Sequence, residues 1–312
     1  MSYKIKLSER LDEGIRRIGL EQIDAAVKRL RGHGDPASVV HATRKTLKKL
    51  RSLLRLARPG LPQAVYSEEN ARYRDIGRLM SGARDAQVMS EMLESLHESS
   101  DGRTKAAIGA VRTRLSMLVK RSAAAAGTGT VAETPELFAE VRSRLAEGRV
   151  AMEELPIESG RLHVAFDGME MVYRRARRAM NHAFTTLDDV DMHEFRKQAQ
   201  HHWRHMQLVS AAWPEFFDAR VVTARNLSQI LGEVHDLAVL QKFLESATDA
   251  RLTKRQRDIV FEVAASRQSD LRQDAYALAH RLFAEPPGAF RDHVVVYWQA
   301  ARDEPPAALA AE

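Results

Sequence analysis

No cysteine occurs anywhere in the chain, so disulfides, thiolate metal sites and a cysteine nucleophile are ruled out from the start. Aromatic residues are scarce at 6%, too few for the base-stacking shelf that many single-strand nucleic-acid binders use. No apolar run approaches the length needed to span a bilayer. The opening Met-Ser-Tyr-Lys-Ile-Lys-Leu-Ser-Glu-Arg lacks the apolar centre of a secretory signal, and a cytoplasmic protein with no membrane partner is expected. A phosphate-cradling Gly-x-x-x-x-Gly-Lys-Ser/Thr loop is missing too. Acidic residues that could hold magnesium do not gather near the basic segments described below. Both gaps weigh against phosphoryl-transfer chemistry.

What is present is a charged, globular composition: 312 residues, 44% apolar and 29% charged, with a net charge of +6. Such a length holds one large domain or two of ordinary size. The modest positive excess gains meaning from its clustering. Val40-His41-Ala42-Thr43-Arg44-Lys45-Thr46-Leu47-Lys48-Lys49-Leu50-Arg51-Ser52-Leu53-Leu54-Arg55-Leu56 carries a cationic stripe. At about 100° per residue in a helix, His41, Arg44, Lys45, Lys48, Arg51 and Arg55 share one arc, and Leu47, Leu50, Leu53 and Leu54 the opposite one. A second His-x-x-Arg-Lys segment, Met192-His193-Glu194-Phe195-Arg196-Lys197-Gln198-Ala199-Gln200-His201-His202-Trp203-Arg204-His205, follows with its histidine 152 positions later.

Periodicity between glycine and proline breaks is helical almost throughout, and an all-α fold is expected. Helices are predicted at about Leu7–Leu30, from Ala37 to just before Pro59, Tyr66–His97 and Arg103–Ala126. Beyond the soft Gly127-Thr128-Gly129-Thr130 stretch they are predicted at Pro135–Glu153, Arg161–Phe184, Val190–Ala212, Phe217–Thr248, Thr253–Phe283 and Ala289–Arg302. A further echo joins Asp75–Val88 to Asn226–Val239, pairing Asp85 with Asp236 at an offset of 151. Two landmarks at nearly one offset point to a duplicated unit. The expected architecture is therefore two pseudo-symmetric four-helix bundles of long antiparallel helices, residues 1–130 and 131–302, with a frayed tail at 303–312.

These residues resemble the CHAD family, the "conserved histidine α-helical domain". Its pattern is a histidine, an arginine three later, basic residues at seven, eight and ten, and often another at fourteen. His41, Arg44, Lys48, Lys49, Arg51 and Arg55 fit it fully. The second copy keeps His193, Arg196 and His201, departs at Gln200 and Trp203, and has Arg204 placed to restore one charge. The family's basic helix before the stripe is matched by Tyr173-Arg174-Arg175-Ala176-Arg177-Arg178-Ala179-Met180. Leu79 to Asp85 matches its Leu-x-x-x-Ala-Arg-Asp pattern, echoed by His235-Asp236. The match runs from about Leu7 to Arg302. It implies a compact helical protein that binds inorganic polyphosphate in a basic groove or pore, with phosphate or sulfate as stand-ins and no cofactor, and targeting to polyphosphate granules is an expected role. The Glu-x-Glu-x-Lys signature of the triphosphate-processing domain often fused to this family does not occur, so a stand-alone module is expected.

On this reading the polyphosphate-binding residues are His41, Arg44, Lys45, Lys48, Arg51, Arg55, Arg84, Arg174, Arg178, His193, Arg196, Lys197, His201 and Arg204. Arginine offers a planar fork for two phosphate oxygens and lysine a mobile point charge, and residues three and four apart form a row along a helix. Plainer readings stand beside it. The two histidines could pack at a seam and orient an arginine, the Arg-Arg-x-Arg-Arg run could be a solvated face, and Arg84-Asp85 could be an ion pair locking its helix. His201 and His205 lie one turn apart as metal ligands do, but no glutamate sits between them as in His-Glu-x-x-His, and Lys197 and Arg204 would repel a cation. Trp203, Trp213 and Trp298 are expected in the core or at its rim. Two other functions compete: a nucleic-acid-binding helical protein using the same charges on phosphodiesters, and, ranked below it, a polyphosphate-processing enzyme.

Overall fold

The computed structural model describes residues 3–80, 84–125, 135–157, 163–246 and 252–303. Among these the chain is all-α, as expected. In order come α1 (Leu11–Arg31), α2 (Pro36–Ala57), a short 3-10 turn (Arg58–Gly60), α3 (Gln63–Leu79), α4 (Arg84–Glu98) and α5 (Gly102–Ala125). There follow α6 (Pro135–Glu153), α7 (His163–Thr186), α8 (Asp189–Val209), α9 (Pro214–Ser246), α10 (Lys254–Leu282) and α11 (Pro287–Asp303).

Helix starts are set by local chemistry. Proline occupies the first position of α2, α6, α9 and α11, where its missing N–H costs nothing and its fixed φ suits the turn. The Asp35 side chain caps α2 by accepting from Ser38 N at 2.9 Å, and Asp188 caps α8 through Val190 N at 2.7 Å. A reciprocal pair, Thr253 with Gln256, opens α10.

One predicted helix is in fact two. The span expected at Tyr66–His97 stops at Leu79 and resumes at Arg84. The reason lies in α2: Arg44 Nη1 donates to the carbonyls of Gly77 at 3.2 Å and Met80 at 2.8 Å, taking up oxygens left bare at a helix end.

Packing does not follow chain order either. In place of two consecutive bundles, α1, α2, α3 and α6 close one ring of four, while α4 and α5 pack on α9 and α10 to close another. Contacts therefore cross the boundary expected near residue 130, and that glycine-threonine stretch, like the tail beyond residue 303, lies outside the described residues. Between the rings, α7 and α8 pack on each other and on α2, α8 also packs on α9, and α11 covers α7. One continuous apolar core runs through all of this, from Ile15 and Leu50 to Phe195, Leu231 and Trp298. Trp298 is in the core, Trp203 is partly buried against it, and Trp213 is 45% exposed.

Candidate anion-binding site

The apolar back of α2 is buried as its periodicity requires: Leu47, Leu50, Leu53 and Leu54 are at most 2% exposed. Its other arc faces outward to different degrees. Lys45 and Lys48 are exposed, whereas His41, Arg44, Arg51 and Arg55 are half-buried. Arg44 serves the fold through its two carbonyl bonds at the end of α3.

Arg51 and Arg55 are arranged differently. Arg51 Nε and Arg55 Nη1 both donate to one atom, Asn70 Oδ1 on α3, at 3.1 and 2.8 Å. Among the described residues neither arginine is in salt-bridge contact with a carboxylate, and the nearest to act on them is Glu194 of α8, at longer range from Arg55. Burial, then the positive neighbours Arg55, Arg74 and Arg78, pushes Arg51 down to about 10. Burial depresses Arg55 too, with Arg175 of α7 and Arg58 adding to the effect. Arg74 and Arg78 share Asp75, at 2.9 and 3.3 Å. Three helices thus bring arginines to one seam.

Helix α7 reaches the seam because Gly168 lets it. A Cβ at that position would lie 2.0 Å from the carbonyl oxygen of Leu56 and 3.0 Å from that of Arg55, so the two backbones touch where a side chain would hold them apart. Two turns further along α7, Arg175 comes close enough to Arg55 to act on its charge.

The stripe on α8 meets a different fate. His201, expected at the ligand face, is 9% exposed, and its Nδ1 lies 2.7 Å from Ser52 Oγ of α2. His205 is fully buried with Nε2 2.9 Å from Ser52 O; a carbonyl only accepts, so Nε2 carries the proton. Burial first, then nearby arginines, holds His201 well below its usual range, and burial lowers His205 to about 4 despite its bond to Ser52. Arg204, also placed on the ligand face by its spacing, is 6% exposed, donates to Gln200 O at 2.8 Å and lies beside the Trp203 ring. Their burial has one cause: α8 crosses α2 here, and these side chains fill the crossing.

The remaining predicted residues are scattered. His193 packs against His235 with ring centroids 4.2 Å apart and the planes tilted by 33°, and burial, then His235 and the cations Lys197 and Arg196, pushes it to about 4. The Arg196 guanidinium rests against Gly232 of α9, where a Cβ would come within 3.0 Å of Nη2. Lys197 is ion-paired with Glu194, and Arg174 with Glu170. Arg178 is exposed. Arg84 opens α4, but its side chain lies outside the described residues.

The two helices run antiparallel at their crossing, since His201 lies towards Arg51 and Arg55 while Arg204 lies towards Lys49 and Tyr3. His41 and His193 therefore leave the crossing in opposite directions, each about 15 Å along its helix at a rise of about 1.5 Å per residue. A cavity of about 520 Å³ near α3 and α6 lies among Glu68, Asp75, Glu140 and Glu147, with Arg72 and Arg144; its lining of carboxylates does not suit an anion. Sequence reasoning missed Arg175, naming its neighbours Arg174 and Arg178 instead, and on α3 it missed Asn70, Arg74 and Arg78 as members of the seam. Their spacing of four, which lines them up on one face of α3, was the available signal.

Residues 16–245 match the model of the CHAD domain. The fold is similar to that of the crystal structure of the CHAD domain from the plant Ricinus communis, with a TM-score of 0.56 at 18% identity, covering 92% of this chain and 94% of that one. No curated protein matches this chain.

Proposed function

This chain belongs to the CHAD domain family, and from that premise we propose that it binds inorganic polyphosphate at the α2–α3–α7 seam as a non-catalytic module. The observation that carries the reading is the Arg51–Asn70–Arg55 arrangement: two half-buried guanidiniums on a single neutral acceptor, with no carboxylate in salt-bridge contact. Each guanidinium has five N–H donors, so most of theirs remain available to an anion. Arg74, Arg78 and Arg175 stand around the pair, with Lys45 and Lys48 exposed further along α2. A linear polyanion with charge on every internal phosphate and no bases suits such a track. Targeting to polyphosphate granules would follow from the same contacts.

No helix of the described residues is long and apolar enough to cross a membrane. The test is direct binding of the full chain to polyphosphate across a salt series, with DNA and RNA as competitors and a phosphate-release assay alongside. Roughly five phosphate contacts, each contributing a slope of about −0.7 as for single strands, predict an overall slope near −3.5. Affinity should then fall about a hundredfold between 50 and 200 mM salt. A flat response, equal affinity for nucleic acid, or steady release of phosphate would overturn the reading.

A further inference from the structure

The seam contains a residue whose chemistry matters because of what it is not. Asn70 Oδ1 accepts from Arg51 Nε at 3.1 Å and from Arg55 Nη1 at 2.8 Å. The two arginines lie four residues apart on α2, so the acceptor on α3 clasps them side by side. Arginine has donors only, which fixes the amide oxygen, not the nitrogen, towards them.

Several arginines elsewhere in this chain that are similarly buried meet carboxylates instead. Arg17 lies between Glu9 and Glu21, Arg72 on Glu69 and Glu147, and Arg291 among Asp167, Glu170 and Asp292. A carboxylate at position 70 would make the stronger, charge-assisted bond. It would also cancel the charge that the seam presents.

We propose that Asn70 is the positioning residue of the anion site: a neutral clasp that orients Arg51 and Arg55 in parallel while leaving both charges for the ligand. The inference rests on the reading of the seam as a polyphosphate site and deepens it. Asn70 itself makes no contact with phosphate. It acts through the two guanidiniums, and an amide supplies orientation at no cost in field.

Two substitutions of opposite chemistry test it, with polyphosphate as the probe. Asn70→Asp should raise the melting temperature of the free protein, because two crowded cations gain a counter-charge. It should nonetheless weaken polyphosphate binding about tenfold and flatten the salt slope by about 0.7, one contact's worth. Asn70→Ala should lower the melting temperature and weaken binding while leaving the salt slope unchanged, since both charges remain. Stability and affinity moving in opposite directions in Asn70→Asp is a signature that a merely structural asparagine does not produce. The proposal is overturned if Asn70→Asp keeps wild-type affinity and slope, or if it loses stability and affinity together. Should the unaltered protein fail to bind polyphosphate, the functional reading itself is wrong, and the role given to Asn70 goes with it.

Discussion

Replacing Gly168 by alanine should drive α7 off α2. The added Cβ would sit 2.0 Å from Leu56 O, 2.8 Å from Leu56 C and 3.0 Å from Arg55 O. A close C···O contact is about 3.3 Å, so the nearest atom is more than 1 Å too close. All three clashing atoms belong to the backbone of a neighbouring helix, and no rotamer change relieves them. Overpacking of a core costs about 1–3 kcal/mol, and the upper end applies where backbone must move. Against this, alanine in a helix interior is favoured over glycine by about 1 kcal/mol. The balance is a net loss of about 2 kcal/mol, which at 2–4 °C per kcal/mol corresponds to a melting temperature lower by roughly 4–8 °C. Gly109→Ala provides the control of opposite sign. It too is a helical glycine, on α5, but its Cβ would meet nothing nearer than His97 Nε2 at 3.9 Å, so it should gain up to about 1 kcal/mol. Urea and thermal unfolding of the two variants beside the wild type would check both signs. If Gly168→Ala matched or exceeded the wild type in stability, the close approach of α7 to α2 would be wrong, and with it the account of how Arg175 reaches the seam.

Arg44→Ala should cost about 1–3 kcal/mol by stripping two carbonyls at the end of α3 of their donor, whereas Lys45→Ala, on an exposed side chain, should stay within about 0.5 kcal/mol; equal urea midpoints for the two would refute the capping role. Acid should weaken the fold through His205, whose folded value of about 4 lies below the usual 6.5: its neutral form contributes fully above pH 6.5, and that contribution is lost as pH falls towards 4, reaching about 3 kcal/mol. Stability measured from pH 7.5 to 4.5 should therefore fall less steeply in His205→Gln than in the wild type, and identical slopes would sink the assignment.

Much of the local structure was legible in the sequence because its causes are local. The leucine arc of α2, the Asp35-Pro36 start and the Trp213-Pro214 break each act within a few residues, and the corresponding helices lie where periodicity and capping put them. What was not legible depends on partners distant in the chain. Nothing in the repeat pattern records that α4 and α5 leave the first set of helices for α9 and α10, since an amphipathic face specifies burial and not the surface it is buried against. The end of α3 at Leu79 depends on a guanidinium from α2. For the α8 stripe the signal was present and pointed the other way: Gln200 and Trp203 stand where basic residues are usual, which is what a helix spent on packing would show. The seam was half legible. Arg51 and Arg55 follow from their spacing on α2, but Asn70 takes its meaning only from facing them.

The cations of the two stripes and of the basic helix α7 separate by what holds them, and the separation itself locates the site. Arg44 caps a helix, Lys197 and Arg174 are matched by glutamates, and Arg204 is buried against Trp203 with a bond to its own helix. Each of these arrangements is accounted for by the fold alone. Arg51 and Arg55 are not: half-burial makes their charge costlier than at the surface, and a single amide oxygen returns little of that cost. Even lowered to about 10, Arg51 stays protonated at neutral pH, so the seam retains its charge in a setting less screened than open water. Repulsion between the pair and with Arg175, and with Arg74 and Arg78 so far as the one Asp75 they share leaves them uncompensated, opposes the folded state until an anion enters. Binding there should accordingly stabilise the protein by linkage, and the effect should shrink with added salt as the field that draws the ligand is screened.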